Sequence, residues 1–332
     1  MIDWKNKKCK IVPNPHHSLP NPPEMENHVI LSTSGSKKPK WVYLSKDAFL
    51  TGAKAIVDKL DVKKNDQWLI ALPLFHVAGL AILARCEVSG SGYKVYSQKK
   101  WDPKQFMHEL EDCHYTSLVP TQLFDLVKTF HRPPPSLKGV LIGGDKISKS
   151  LFEKAIERGW PIYRSYGMTE AAATFAISDL NEWDLKKLPN NELKIDRTVK
   201  IKGPTLLTAY FDDHFYDPKI EGWFDTGDEG IIKGDCFEII GRLNQFKVGG
   251  ELFSLSELQE KLDHFNTLQV EAVLVVKTCE RLGAKVVLYH NHPYVEKMIN
   301  PFNGIVHPLV RINEHVFMEQ LPRNIIGKVV VN

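Results

Sequence analysis

Hydrophobic positions along the chain gather in short, nearly continuous runs with amphipathic stretches between them, so the sequence predicts buried strands that alternate with helices. Residues 29–33 read as a strand, 45–60 as a helix with Ser45 as its cap, and 67–72 as a buried strand. A helix-compatible stretch at 79–85 follows, then a strand at 93–96, a helix at 103–110, a strand at 115–119, a helix at 121–129 and a strand at 139–142. This alternation predicts parallel pairing in a layered sheet, the large α/β domain of the chain. Beyond Glu182 the apolar segments shorten and Gly, Pro, Asn and Asp break them, which predicts a β-rich subdomain over 194–241. A helix at 256–262 and strands at 270–276 and 284–289 predict a small α+β C-terminal domain, giving domains at 1–242 and 243–332.

The longest apolar run, 69–84, is interrupted by Pro73 and His76 and falls short of the roughly 20 residues a spanning helix needs. It therefore predicts a buried strand and a helix start, and no membrane span is expected. With 332 residues, 43% of them apolar, the chain can bury a large core and has the length for two domains. A net charge of +3 argues against a nucleic-acid surface and for small-molecule partners. Cys9, Cys86, Cys113, Cys236 and Cys279 are scattered, odd in number and form no CxxC pair, which favours free thiols in a reducing compartment. Residues 1–30 are polar and proline-rich, without the apolar stretch of a signal peptide, so a cytoplasmic location is the expectation. A homo-oligomer is compatible with this composition.

Five separated stretches carry candidate chemistry. The run Ser32-Thr33-Ser34-Gly35-Ser36-Lys37-Lys38-Pro39-Lys40 places hydroxyls, a glycine and lysines directly after a strand, where hydroxyls and freed N–H groups can cradle a polyphosphate that the lysines neutralise. Gly143-Gly144 lets backbone approach a flat base, and Tyr166-Gly167-Met168-Thr169-Glu170 adds an aromatic face, a hydroxyl and a hard oxygen donor for magnesium. In the run from Trp223 to Asp228 the carboxylate of Asp228 can accept two vicinal ribose hydroxyls, and the fork of Arg242 can reach ribose or phosphate oxygens. Pro322-Arg323-Asn324-Ile325-Ile326-Gly327-Lys328 supplies a late lysine.

In this order the stretches resemble those of the adenylate-forming superfamily of acyl-CoA synthetases, adenylation domains and luciferases, over about residues 28–332. Ile201-Lys202-Gly203-Pro204 and Ala209-Tyr210 resemble the segment that precedes the Trp223 motif in that superfamily. The resemblance implies ATP, magnesium and CoA as cofactor and co-substrates of a ligase acting on a carboxylic acid. It implies phosphate contacts from Thr33, Ser34, Gly35, Ser36 and Lys40, adenine and ribose contacts from Gly143, Gly144, Tyr166, Gly167, Asp228 and Arg242, and catalytic roles for Thr169, Lys328 and the metal ligand Glu170. It also implies a hinge at Asn244, about which the C-terminal domain swings, and a CoA-step loop at Gly249-Gly250.

The wording of Leu72-Pro73-Leu74-Phe75-His76-Val77-Ala78-Gly79-Leu80, of residues 117–121 and of the two-glycine loop most resembles the ligases that activate o-succinylbenzoate in menaquinone biosynthesis. On that resemblance His76 and Thr121 border the acid pocket; by its position alone, His76 after an apolar strand is more often a satisfied core residue than a ligand. Most of the N-terminal subdomain such enzymes carry before the phosphate loop is expected to be missing. Two alternatives stay open: another aryl- or acyl-CoA ligase, and a nucleotide-binding module without catalysis.

Overall fold

The computed structural model describes residues 2–329 apart from 16–18, 33–39, 99, 131, 146, 197, 243–244, 249–250, 268–269, 280–282 and 324–328. The chain forms two compact units. The first is Met1–Lys194 with Lys200–Thr226 and Ile232–Glu238, and the second is Ile195–Val199, Gly227–Ile231 and Ile239–Asn332.

The first unit is built on a seven-stranded sheet. Its spatial order is Lys186–Lys187, Ala176–Ile177, Ile162–Tyr166, Gly139–Ile142, Tyr115–Leu118, Gln67–Ile70 and Gly92–Val95. The five strands from Ile162–Tyr166 to Gly92–Val95 pair in parallel, and the two short edge strands close antiparallel. Helices Lys46–Leu60, Val77–Ser89, Pro103–Leu110, Pro120–Thr129 and Lys149–Glu157 lie between the strands in sequence. Phe106, Leu110, Leu118, Leu123, Val140, Trp160 and Ile162 all lie in one buried cluster, each worth about 1.5–3 kcal/mol against exposure. Ser45 caps the first helix as expected, its Oγ accepting from the Ala48 N–H at 3.0 Å. The helix at 77–89 is longer than the 79–85 segment read from sequence, and nearly every face of its middle is buried.

A five-stranded sheet holds the second surprise of this unit. His28–Ser32 and Trp41–Ser45 form an antiparallel hairpin, and Ala209–Phe211 pairs with the far side of Trp41–Ser45. Sequence reading passes over the strand Trp41–Ser45 and assigns 209–211 to a separate β-rich region. Instead Ala209–Phe211 and Phe215–Tyr216 complete a sheet begun by the N-terminus.

Residues 2–27 strap this hairpin. Cys9, Ile11, Leu19 and Met25 pack against buried Ile30, Trp41 and Tyr43. The Trp41 indole donates to the Pro20 carbonyl at 3.0 Å and the Tyr43 hydroxyl to the Pro23 carbonyl at 2.6 Å. The Lys46 ammonium, 1% exposed, donates to the carbonyls of Asp3 and Asn6 and to the Asn6 side chain.

In the second unit, the antiparallel strands Ala272–Cys279 and Gly283–His290 pair along their full length, and His315–Phe317 adds in parallel. Helices Leu255–His264 and Glu296–Ile305 cover them through Leu258, Leu262, Met298 and Phe302. The strands run slightly longer than their expected bounds, while the helix 296–305 and the strand 315–317 had no clear sequence signal. Among the described residues no helix is long and apolar enough to cross a membrane.

Candidate active site

Each parallel strand of the large sheet ends on one edge, and the candidate residues of the first unit sit just past those ends. His76 follows Gln67–Ile70, Thr121 follows Tyr115–Leu118, Gly143-Gly144 follows Gly139–Ile142, and Gly167 to Glu170 follow Ile162–Tyr166. These four strands are consecutive neighbours in the sheet, so the topology collects four distant sequence stretches along one edge. In open α/β sheets that carboxyl edge is where ligands bind.

Two close approaches explain local glycines. A Cβ on Gly79 would lie 2.4 Å from the Pro73 carbonyl oxygen, so only glycine lets the helix begin tight under the Pro73 turn. That turn places His76 at the helix N-cap, 9% exposed, with its ring 4.7 Å from that of Phe75. A Cβ on Gly167 would lie 1.7 Å from the Ala173 carbonyl oxygen. The 167–173 loop therefore folds back on itself, with the Ala171 and Ala173 amides both donating to the Met168 carbonyl. It carries two alanines in left-handed conformation, Ala172 at φ 50° and Ala173 at φ 87°. Strain of this kind, of order 1–3 kcal/mol per residue, persists where surrounding structure over-determines the backbone. Here it presents Thr169 and Glu170 at the strand end in a single 3-10 turn. Tyr166 closes its strand half-buried, its ring edge-on to Phe237 at 6.1 Å.

Glu170 is held from outside its own loop. The Tyr210 hydroxyl donates to Glu170 Oε1 at 2.7 Å, and the Leu207 amide donates to the Glu170 carbonyl at 2.8 Å. The Lys40 ammonium lies 3.4 Å from the centroid of the same Tyr210 ring. Sequence reasoning uses Tyr210 only as part of a flanking motif; its contact with Glu170 depends on the pairing of Ala209–Phe211 with Trp41–Ser45. An oxygen donor set suits magnesium. Among the described residues no group of three His, Cys, Asp or Glu side chains could hold a metal, so a cation at Glu170 would draw most of its ligands from phosphate and water, as magnesium does.

Arg85 is the residue that sequence reasoning missed, since it reads there only as the end of a helical segment. It is 3% exposed, donates to Ser117 Oγ at 3.3 Å and Thr174 Oγ1 at 3.2 Å, and lies 5.3 Å from the Trp68 ring. Among the described residues no carboxylate is within ion-pair range of it, and its Nε has no hydrogen-bond partner. Burial pushes its pKa down to about 10. Arg164 is also pushed down to about 10 by burial, but Glu238 opposes that and Arg164 stacks 3.7 Å from Trp183. The available signal for Arg85 was a single cation within the apolar helix 77–89.

Asp228 opens the strand Asp228–Lys233 and lies in the second unit, as does the backbone of Arg242, which ends Cys236–Arg242. Thr33, Ser34, Gly35, Ser36, Asn244, Gly249, Gly250, Lys328 and the side chain of Arg242 lie outside the described residues.

The chain is 29% identical over 326 residues to 2-succinylbenzoate--CoA ligase of Lactococcus lactis, covering 92% of this chain and 70% of that protein. It is 34% identical over 251 residues to 2-succinylbenzoate--CoA ligase of Escherichia coli, covering 73% and 54%. The chain thus spans from about half to 70% of the length of these relatives. An Escherichia coli MenE variant with bound OSB-AMS superposes with a TM-score of 0.77 at 27% identity, covering 87% of this chain and 64% of that one. Bacillus subtilis MenE in complex with AMP, at 24% identity and a TM-score of 0.78, shares the fold. A model of the AMP-binding enzyme family matches residues 3–203, and with the parallel sheet and its loaded carboxyl edge lying within that span, the chain belongs to the AMP-binding enzymes.

Proposed function

We propose that this chain is an AMP-forming acid–CoA ligase that activates o-succinylbenzoate through an acyl-adenylate, the menaquinone-pathway reaction named for its relatives. The observation that carries the reading is Arg85, a buried guanidinium facing two hydroxyls and, among the described residues, no carboxylate. Keeping such a charge without a partner costs several kcal/mol, and the second carboxylate of an aromatic dicarboxylic acid would supply that partner. Fatty acids and benzoate lack one. His76 and Thr121, at neighbouring strand ends, line the same pocket in this reading.

On the family resemblance, Tyr166, Gly143, Gly144 and Gly167 would contact the adenine of ATP, Asp228 and Arg242 its ribose, and Thr33, Ser34, Gly35, Ser36 and Lys40 its phosphates. Glu170, with Thr169 beside it in sequence, would hold magnesium, which would supply charge neutralisation of phosphate oxygens. The substrate carboxylate oxygen attacks the α-phosphorus, and the bond from that phosphorus to the pyrophosphoryl oxygen breaks. Lys328 stabilises the charge that develops there, giving acyl-adenylate and pyrophosphate. The domain 243–332 then turns about Asn244, and the Gly249-Gly250 loop admits CoA. Its thiolate attacks the acyl carbon, and AMP leaves with the electron pair of the C–O bond. Free thiols support a reducing, cytoplasmic setting for this chemistry.

Pyrophosphate release across a panel of acids, with and without CoA, tests the reading. Release with o-succinylbenzoate, but not with benzoate or fatty acids, is the expected result. Release with another acid alone would move the chain to a different acyl-CoA ligase. ATP binding without release for any acid would leave a nucleotide-binding module.

A further inference from the structure

We propose that Tyr210 is a two-sided positioning residue that holds Glu170 and Lys40 apart, each at the place where a metal–nucleotide complex needs it. The proposal rests on the nucleotide-binding reading given above. One phenol meets both charges: its hydroxyl donates to Glu170 Oε1 at 2.7 Å, and its face receives the Lys40 ammonium at 3.4 Å from the ring centroid. Lys40 also donates to the Tyr216 hydroxyl at 3.4 Å, and the Tyr216 ring lies 5.4 Å from that of Tyr210. Tyr210 is itself 5% exposed and fixed in register opposite Val42.

The arrangement solves an electrostatic problem. A half-buried carboxylate and ammonium on the same phenol gain by collapsing onto each other, and the resulting ion pair would occupy the oxygens meant for a cation and the charge meant for a phosphate. A tyrosine between them satisfies the acid through a charge-assisted hydrogen bond and the ammonium through cation–π attraction, without neutralising either.

Removing the two functions separately gives the test. Tyr210→Phe keeps the ring beneath Lys40 and removes the hydroxyl; Tyr210→Leu removes both. Calorimetric titration with ATP, in magnesium and in EDTA, measures nucleotide affinity and how much the metal adds to it, independently of turnover. For Tyr210→Phe the affinity gain from magnesium should shrink by about tenfold, the scale of one charge-assisted hydrogen bond, while affinity in EDTA stays within about twofold. Tyr210→Leu should weaken binding in EDTA as well. Glu170→Gln is the reference variant. If it loses the magnesium gain and Tyr210→Phe retains it, the positioning role is overturned while the nucleotide reading stands. If Glu170→Gln keeps the full magnesium gain, the assignment of Glu170 is overturned and the proposal with it. Equal weakening of binding in EDTA by Tyr210→Phe and Tyr210→Leu, with a matching drop in melting temperature, would reduce Tyr210 to a packing residue.

Discussion

Replacing Arg85 by methionine separates a site residue from a structural one, because the two roles predict opposite signs for stability. The guanidinium is buried, and the fall of its pKa to about 10 corresponds to roughly 3 kcal/mol of unfavourable desolvation. Its hydrogen bonds to Ser117 and Thr174, at 3.3 and 3.2 Å, return only about 1 kcal/mol each. Methionine fills a similar volume against Trp68 without the charge, so the variant should unfold at equal or higher denaturant than the parent. Catalysis should move the other way. Losing the partner of a buried carboxylate costs about 2–5 kcal/mol, so kcat/KM for o-succinylbenzoate should fall roughly 30-fold or more. 3-Benzoylpropionate, which lacks the ring carboxylate, should be turned over by parent and variant at similar rates. Urea unfolding and pyrophosphate release from the two acids make the comparison. A variant destabilised by several kcal/mol, with both acids lost alike, would refute the argument and make Arg85 a structural strut.

Four further outcomes are expected. Lys46→Met strands the Asp3 and Asn6 carbonyls that Lys46 satisfies, so it should destabilise the N-terminal strap by about 1–3 kcal/mol, read as faster proteolysis within residues 2–12. Asp66 is buried, and desolvation raises its pKa, but the hydrogen bond and charge of Lys138 and the Lys63 amide outweigh that and hold it below the ordinary 3.8. Its stabilisation is therefore complete above about pH 5 and is lost as pH falls through the lower folded value, so the stability gap between parent and Asp66→Asn should close on acid titration. Ala173→Gly relieves a φ of 87° and should raise stability by about 1 kcal/mol in chemical denaturation; a loss there would mean the alanine methyl packs better than its backbone strains. Lys328→Ala should abolish pyrophosphate release yet leave thioester formation from supplied acyl-adenylate largely intact, and equal loss of both half-reactions would count against a swinging C-terminal domain.

The parallel sheet was legible because strands covered by helices on both faces read as unbroken apolar runs, as in Trp68-Leu69-Ile70 and Val140-Leu141-Ile142, all nearly inaccessible. The α/β order alone expects His76, Thr121 and Gly144 at its carboxyl edge, and the observed strand order places Glu170 along the same edge. What the sequence hid was pairing across long separations. Trp41–Ser45 follows a polar, lysine-rich run of sequence, and its Trp and Tyr keep polar tips bonded to Pro20 and Pro23, so its pattern does not stand out as a strand. Its partner Ala209–Phe211 lies far along the chain, and no local propensity encodes that register. Yet the register decides the chemistry. It sets Tyr210 opposite Val42 and Phe211 opposite Trp41, the residue after Lys40, and thereby brings a phenol to both the loop lysine and the Glu170 carboxylate. Arg85 was hidden for a different reason: a cation in an apolar helix violates the binary pattern, and such a violation marks either an error of reading or a place where folding free energy has been given up. With Ser117 and Thr174 around it and, among the described residues, no acid beside it, the charge that weakens the fold is the one we propose chooses the substrate.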